Sequence, residues 1–264
     1  MCDNSILVSI RRRWGRLINP PPALSQDYSC ADYNRFMKQE LFRLTPSYTH
    51  NRVLVKGKDN LLSAIKKSNV MIGLLHHGSW ILIGGVVRHV LKLPYTVIAS
   101  RRNFAVLSEV DRIYWTRAHE YIQTYYGENF IFTDQSPFIA MSWLKRSIAV
   151  LGVAFDVREF DQAYTESKIN FVGHQLWVQT GPARLAGLSK VLVVPASIHF
   201  KPECRMHELE FYDVIDPGQL NSAQALTQAV FSVLEPVYNA YKKQAFFDII
   251  ESFSLRHQPS PASG

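Results

Sequence analysis

The chain has 264 residues, 47% of them apolar and 19% charged, with a formal charge of +7. Such proportions exclude a disordered, fibrous or low-complexity chain, and the length suits one α/β domain with a full core. Three cysteines, Cys2, Cys30 and Cys204, lie far apart without CxxC spacing, which points away from a disulfide framework and from a zinc site. The positive charge favours anionic partners such as phospholipid surfaces or acidic carrier proteins, whereas no helix-turn-helix, zinc-finger or RNA-binding aromatic signature supports nucleic acid.

From Ile6 to Ile18 the apolar residues Ile6, Leu7, Ile10, Trp14, Leu17 and Ile18 recur at three- and four-residue steps, with Arg11, Arg12, Arg13 and Arg16 between them. This predicts a basic amphipathic helix, suited either to a membrane interface or to packing on its own domain. Asn19-Pro20-Pro21-Pro22 stops it, because three successive residues lack a backbone donor. Residues 1–22 therefore read as a separate segment, 23–255 as a single domain and 256–264 as a disordered tail. No apolar run reaches the roughly 18 to 20 residues of a membrane span, and the first residues do not resemble a signal peptide. The expected location is cytoplasmic, with the basic helix offering a peripheral hold on the inner face of the cell membrane.

Helical periodicity runs from Asp32 to Leu44, with Pro46 as its stop, and Asp59 is placed to cap a short helix from Asn60 to Lys67. Val70 to Leu75 reads as a buried strand followed by His76, His77, Gly78 and Ser79 and then by a helix to about Lys92. That helix tolerates Gly84 and Gly85 only if something packs closely on it. Further on, Tyr95 to Ser100 predicts a strand, Phe104 to Tyr126 a long helix, Asn129 to Phe132 a short strand and Pro137 to Arg146 a helix. Ser147 to Asp156 is an apolar strand ending in an acid, and Ile169 to Gly173 is a short strand. Thr180 is set to cap a helix with Pro182 in its first turn. Strands over Val191–Phe200, interrupted by Pro195, and Met206–Ile215 precede a helix from Asn221 that breaks near Pro236. The alternation predicts an α/β fold, a mostly parallel central sheet flanked by helices on both faces. In such a sheet ligands gather beyond the carboxyl ends of the strands, where His76, His77 and Asp156 fall. By position alone the two histidines also suit an ordinary strand-to-helix turn.

Taken in order, His76-His77-Gly78-Ser79-Trp80 after a strand, the strand ending at Asp156, Asn170-Phe171-Val172-Gly173, Thr180-Gly181-Pro182-Ala183-Arg184-Leu185-Ala186 and Val193-Val194-Pro195 resemble the bacterial lipid A late acyltransferases of the lysophospholipid acyltransferase superfamily. The resemblance spans roughly Leu44 to Phe200 and rests on the order and spacing of short motifs. It implies a lysophospholipid acyltransferase-like fold. It sets His76 on the family's catalytic histidine and Gly78 and Trp80 on the glycine and tryptophan of the same motif. Arg101 or Arg102, with Asn103, stands where the family has an arginine-containing motif; Asp156 matches a later aspartate, and Phe171 and Gly173 the phenylalanine and glycine beyond it. By this resemblance His77, Gly78, Ser79, Trp80, Arg101, Arg102, Asn103, Phe171, Gly173 and Thr180 bind substrate. The implied donor is an acyl carrier protein or coenzyme A thioester, the acceptor a hydroxyl or amine, and no resident cofactor is implied. Three departures mark a divergent member. The family's acid five positions after the histidine is here Ile81, the family's N-terminal spanning helix has no counterpart, and its aromatic and basic C-terminal motif is not recognisable in Ala240 to Phe253.

Acyl transfer needs a base to deprotonate the acceptor and donors to hold an oxyanion. His76 is the natural base, and Ile81 cannot orient its ring. Asp156 is the first candidate for that duty, against its alternative uses as a helix cap or a partner of Arg158; Glu109 and Asp111 sit on a helix with a surface-charge pattern. Arg101 and Arg102 can hold a phosphate of a phosphopantetheine donor or a polar acceptor, or form a solvated basic pair. His77 reads as a structural neighbour more readily than as a second base, Ser79 as an N-cap, and Cys204 has no evident base nearby. Two functions follow: an acyltransferase in lipid or natural-product biosynthesis, or a non-catalytic relative that binds acyl chains or a carrier protein. If the N-terminal helix is the membrane hold, liposome sedimentation will show binding that rises with anionic lipid and falls with salt. Deletion of residues 1–18 will then abolish that binding, and unchanged binding would remove the segment from that role.

Overall fold

The computed structural model describes residues 24, 27–100, 108–135, 137–157 and 166–254. The N-terminal helix predicted over Ile6–Ile18, the residues Arg101, Arg102, Asn103 and Arg158, and the tail 256–264 lie outside the described residues. In chain order the elements are α1 (Cys30–Leu41), α2 (Pro46–Arg52), β1 (Val53–Lys56), α3 (Lys58–Ile65), β2 (Val70–Leu74) and α4 (Ile81–Gly85), which continues as a π-helical turn over Val86–Val90. They continue with β3 (Tyr95–Ala99), α5 (Glu109–Tyr126), β4 (Ile131–Phe132), α6 (Pro137–Trp143), β5 (Val150–Ala154) and the pair β6 (Glu166–Phe171) and β7 (His174–Gln179). The last are α7 (Gly181–Ser189), β8 (Leu192–Lys201), β9 (Met206–Phe211), α8 (Ala223–Ala240) and α9 (Ile249–Phe253).

Seven strands form one sheet in the order β1-β9-β8-β2-β5-β3-β4. All neighbouring pairs are parallel except β8 with β9, so β9 and β1 run against the other five. This is the mostly parallel, helix-covered α/β sheet that the alternation predicts. Strand β2 explains why: all five of its residues are buried. Val70, Ile72 and Leu74 enter the core on one face of the sheet and Met71 the core on the other. A strand covered on both faces has no polar side, hence its unbroken apolar sequence.

Several boundaries differ from the sequence reading for local reasons. Ser29 caps α1 three residues early through a capping box with Asp32, and Pro46 opens α2 at its first turn instead of ending α1. Asp59 is not a cap; it lies in the first turn of α3, which begins after Gly57 in the left-handed region at φ 61°. Residues 174–179 return antiparallel to β6 as a hairpin strand that the sequence reading left out. Pro195 does not interrupt β8, for it stands at the last pair with β2. Nor does Pro236 break α8, whose apolar stripe of Leu226, Val230, Phe231, Leu234 and Tyr238 stays buried across it and offsets the lost hydrogen bond. No helix among the described residues is long and apolar enough to cross a membrane.

The close packing required at Gly84 and Gly85 comes from tyrosines. A Cβ on Gly84 would stand 2.3 Å from the Tyr95 ring and 2.5 Å from that of Tyr126, and one on Gly85 1.9 Å from the Tyr125 hydroxyl. Gly84→Ala is therefore expected to lower unfolding free energy by about 1–3 kcal/mol despite alanine's helix preference. Urea denaturation will check it, and an unchanged midpoint would show that both rings can move aside.

Candidate active site

Strands β2 and β5 run in parallel register with Leu74 opposite Ala154. Two residues beyond each partner stand His76 and Asp156, so the register itself brings them together. Phe155 N–H donates to the Leu74 carbonyl at 2.8 Å and carries the pairing one step past the ladder. Asp156 then holds His76 twice: Oδ2 accepts the His76 backbone N–H at 2.7 Å, and Oδ1 lies 2.9 Å from the ring Nδ1. The Asp156 side chain is fully buried while that of His76 keeps 26% of its surface exposed. An ionised carboxylate only accepts, so Nδ1 carries the ring proton and Nε2 is left with a lone pair. Trp80 meets the imidazole edge-on, ring centres 5.1 Å apart, and Phe247 covers it at 5.8 Å. Among the described residues the hydrogen bonds of the Asp156 carboxylate go to His76.

The corner after His76 is tightly pinned. Gly78 adopts φ 64°, and a Cβ there would sit 1.6 Å from the Ile198 carbonyl oxygen, so glycine is required both by conformation and by approach. Gly78 N–H donates to the Gln244 carbonyl and Phe246 N–H to the His76 carbonyl, both at 2.9 Å. His77 turns the opposite way from His76: it is buried, its Nε2–H donates to the Tyr241 carbonyl at 2.9 Å, and its ring packs on Tyr238. Burial pushes its pKa down to about 4, with the Tyr241 bond and the Asp156 charge only partly opposing.

Ser79 does not cap α4, whose N-cap position is Trp80 without a side-chain bond. Its hydroxyl instead donates to Glu40 Oε2 at 3.2 Å and meets the Tyr33 hydroxyl at 3.3 Å. Glu40 Oε1 accepts from the Tyr48 hydroxyl and from His207 Nε2, the latter at 2.9 Å. Burial alone would raise the Glu40 pKa, but the His207 charge and the bonds from His207, Tyr48 and Ser79 outweigh it and hold the carboxyl below its usual range. Glu40 and Ser79 of this network line a recess whose other walls are mostly apolar, Met37, Leu41, Leu44, Ile81 and Phe246 among them, with Lys38 and Tyr114 also on its lining. The recess lies one aromatic layer from His76, since Phe246 packs on Trp80 at 5.3 Å.

Of the residues that the resemblance assigns to substrate, Trp80 stands beside His76 and Ser79 beside the recess, and the others described have the following places. His77 is a buried structural histidine, and the Gly78 amide is engaged by Gln244. Phe171 is fully buried against Phe231 and Tyr238, under α8. Gly173 makes the β6–β7 turn at φ 74° with open space around it. Thr180 is buried at the head of α7 and makes no cap bond. Cys30 and Cys204 are free and exposed. Among the described residues no group of histidine, cysteine, aspartate and glutamate is arranged to hold a metal ion. Glu40, His207, Gln244, Phe246 and Phe247 were passed over in the sequence. Only Phe246-Phe247, adjacent aromatics after a polar run, carried a signal there.

No family model matches the chain, and no curated protein sequence does. Among solved structures, the 1-acyl-sn-glycerophosphate (LPA) acyltransferase PlsC from Thermotoga maritima is similar to it at 18% identity and a TM-score of 0.47, over 81% of each chain. At that similarity only the side chains of the site bear on chemistry.

The depressed His77 pKa sets a pH dependence of stability. The unfolded chain takes up the His77 proton near pH 6.5 and the folded chain near 4, so this contribution is complete above the unfolded value and is lost as pH falls through that window. The loss amounts to about 3 kcal/mol at most. Denaturation at pH 7 and pH 4.5 will show it, and His77→Gln should flatten the difference; an unflattened profile would assign the acid sensitivity elsewhere.

Proposed function

We propose that the chain is an acyltransferase that moves a fatty or polyketide acyl group from an acyl carrier protein or coenzyme A thioester to a hydroxyl or amine. In this reading His76 is the general base and Asp156 its orienting partner. The carrying observation is the hydrogen bond from His76 Nδ1 to a fully buried Asp156, which leaves Nε2 as the acceptor nitrogen on a partly exposed ring. The family-like motif around His76 supports the same reading. So does the intact pair itself, because a protein that only binds acyl chains has no need of a carboxylate on its imidazole.

The chemistry follows from those atoms. Nε2 takes the proton of the acceptor as its oxygen or nitrogen attacks the thioester carbonyl carbon, and the carbonyl π electrons move onto oxygen. Asp156 stabilises the imidazolium thus formed and keeps the ring from turning. Collapse of the tetrahedral adduct re-forms the carbonyl and breaks the carbon–sulfur bond. The imidazolium returns its proton to the departing thiolate, giving ester or amide and free thiol. Arg101 and Arg102, with Asn103, are proposed to hold the phosphate of the donor, in keeping with their place in the motif order. The recess beyond Trp80 is proposed to take part of the acyl chain along its apolar walls, Met37, Leu41, Leu44 and Ile81. The basic N-terminal segment is proposed to keep the enzyme peripheral at an anionic membrane.

His76→Ala is expected to lower acyl transfer by about 10²–10⁴-fold, followed by thiol release from a long-chain acyl thioester, while binding of the acyl chain changes little. Asp156→Asn should approach that loss, because its amide NH₂ facing Nδ1 would move the ring proton to Nε2 and remove the base. Full transfer by His76→Ala would end the proposal.

A further inference from the structure

Strand β8 outlasts its neighbour: β2 pairs with it only as far as Pro195, while β8 runs on to Lys201. On its other side β9 pairs Phe200 with His207. The edge left by β2 is completed at Phe200 by a side chain. Gln244, fully buried, accepts the Phe200 N–H on Oε1 at 2.8 Å and donates from Nε2 to the Phe200 carbonyl at 2.7 Å, imitating a strand with its amide. Its second Nε2 hydrogen goes to the Tyr28 hydroxyl at 2.8 Å. Both hydrogens of the amide nitrogen are thus engaged.

What this clamp holds is the strap that pins His76. The strap pairs with the site corner through one isolated antiparallel bridge, His77 with Ala245, flanked by the bonds Gly78 N–H to Gln244 O and Phe246 N–H to His76 O. Two bonds are too few to define a register by themselves, and a slip of one residue would turn each side chain to the opposite side. Register matters here because Phe247 packs on the His76 ring and Phe246 on Trp80. We propose that Gln244 is a positioning residue for His76: its amide, anchored on Phe200 and Tyr28, fixes the register of the strap and thereby the angle at which the imidazole is presented. The inference rests on the reading of His76 as base, and its prime measurement does not require turnover.

The experiment compares Gln244→Leu with Tyr28→Phe, which removes one anchor of the amide and spares the rest. Gln228→Ala serves as the control for stability alone, since Gln228 likewise clamps a strand backbone, that of Asn170, in the distant hairpin. In ¹⁵N-labelled protein the His76 ring signals and their pH titration are expected to shift in Gln244→Leu, by less in Tyr28→Phe, and not in Gln228→Ala. In turnover, kcat should fall about 10- to 100-fold in Gln244→Leu with KM for the acyl thioester within about twofold, as misplacement of a catalytic group predicts. If Gln244→Leu does not fold, Tyr28→Phe decides on the same signals. Unmoved His76 signals in the folded variants would overturn the inference and leave the acyltransferase reading standing. Shifted signals in the variants, together with a wild-type protein that transfers no acyl group, would overturn that reading and leave the positioning role intact.

Discussion

The site depends on one geometric fact, that β2 and β5 are parallel and in register. Parallel neighbours advance side by side, so residues equally far beyond two paired positions arrive at the same place. Leu74 and Ala154 are the last pair, and His76 and Asp156 follow at equal distance. The carboxylate does two jobs with its two oxygens. By accepting the His76 backbone N–H it satisfies a donor that has left the ladder, and by accepting Nδ1–H it orients the ring. A buried carboxylate carries a large desolvation cost unless its oxygens are engaged. Here both oxygens are, by a single residue, so backbone position and ring orientation are set together.

The corner from His76 to Trp80 is held from two sides by side chains that are themselves buried. On one side Gln244 and its strap grip the backbone at His76 and Gly78. On the other the Glu40 network grips Ser79. Both anchors come from distant parts of the sequence, α1 before the sheet and the turn after α8. The arrangement pins the corner that carries the His76 imidazole, while Trp80, Phe246 and Phe247 remain only partly buried near the ring. Aromatic walls of this kind cover one side of the imidazole without offering a competing hydrogen bond.

The sequence was legible wherever a local pattern has a local cause. The apolar runs of β2 and β5 name buried parallel strands, and an acid at the end of one beside a histidine at the end of the other suggested their pairing. The glycine pair in α4 foretold close packing without naming Tyr95, Tyr125 and Tyr126 as its source. Reading failed where tertiary contacts decide. Pro46 and Pro236 are ambiguous signals, because proline opens a helix as readily as it ends one and a long buried stripe can carry it. Glu40, His207 and Gln244 look like ordinary polar residues in their own segments, and only the folded chain shows each of them buried with its partners. Phe171, matched to a family motif, is fully buried in the core, which its own segment does not reveal.

Ile81 illustrates how the source of an orienting acid constrains what surrounds it. An acid five residues after the histidine would stand on α4, and in this chain that position is a nearly buried side chain among the apolar residues of the core, with its carbonyl accepting the Tyr126 hydroxyl at 2.7 Å. A carboxylate there would lack the donors that an ionised group requires in such surroundings. Supplying the acid from the neighbouring strand instead puts it where the ends of β2 and β5 already present backbone and ring donors to one point. It also frees α4 to be apolar on every side, and all five of its residues are buried. The recess wall that Ile81 contributes and the His76–Asp156 pair are therefore two consequences of one arrangement, a carboxylate that stands at the end of a strand and not on the helix.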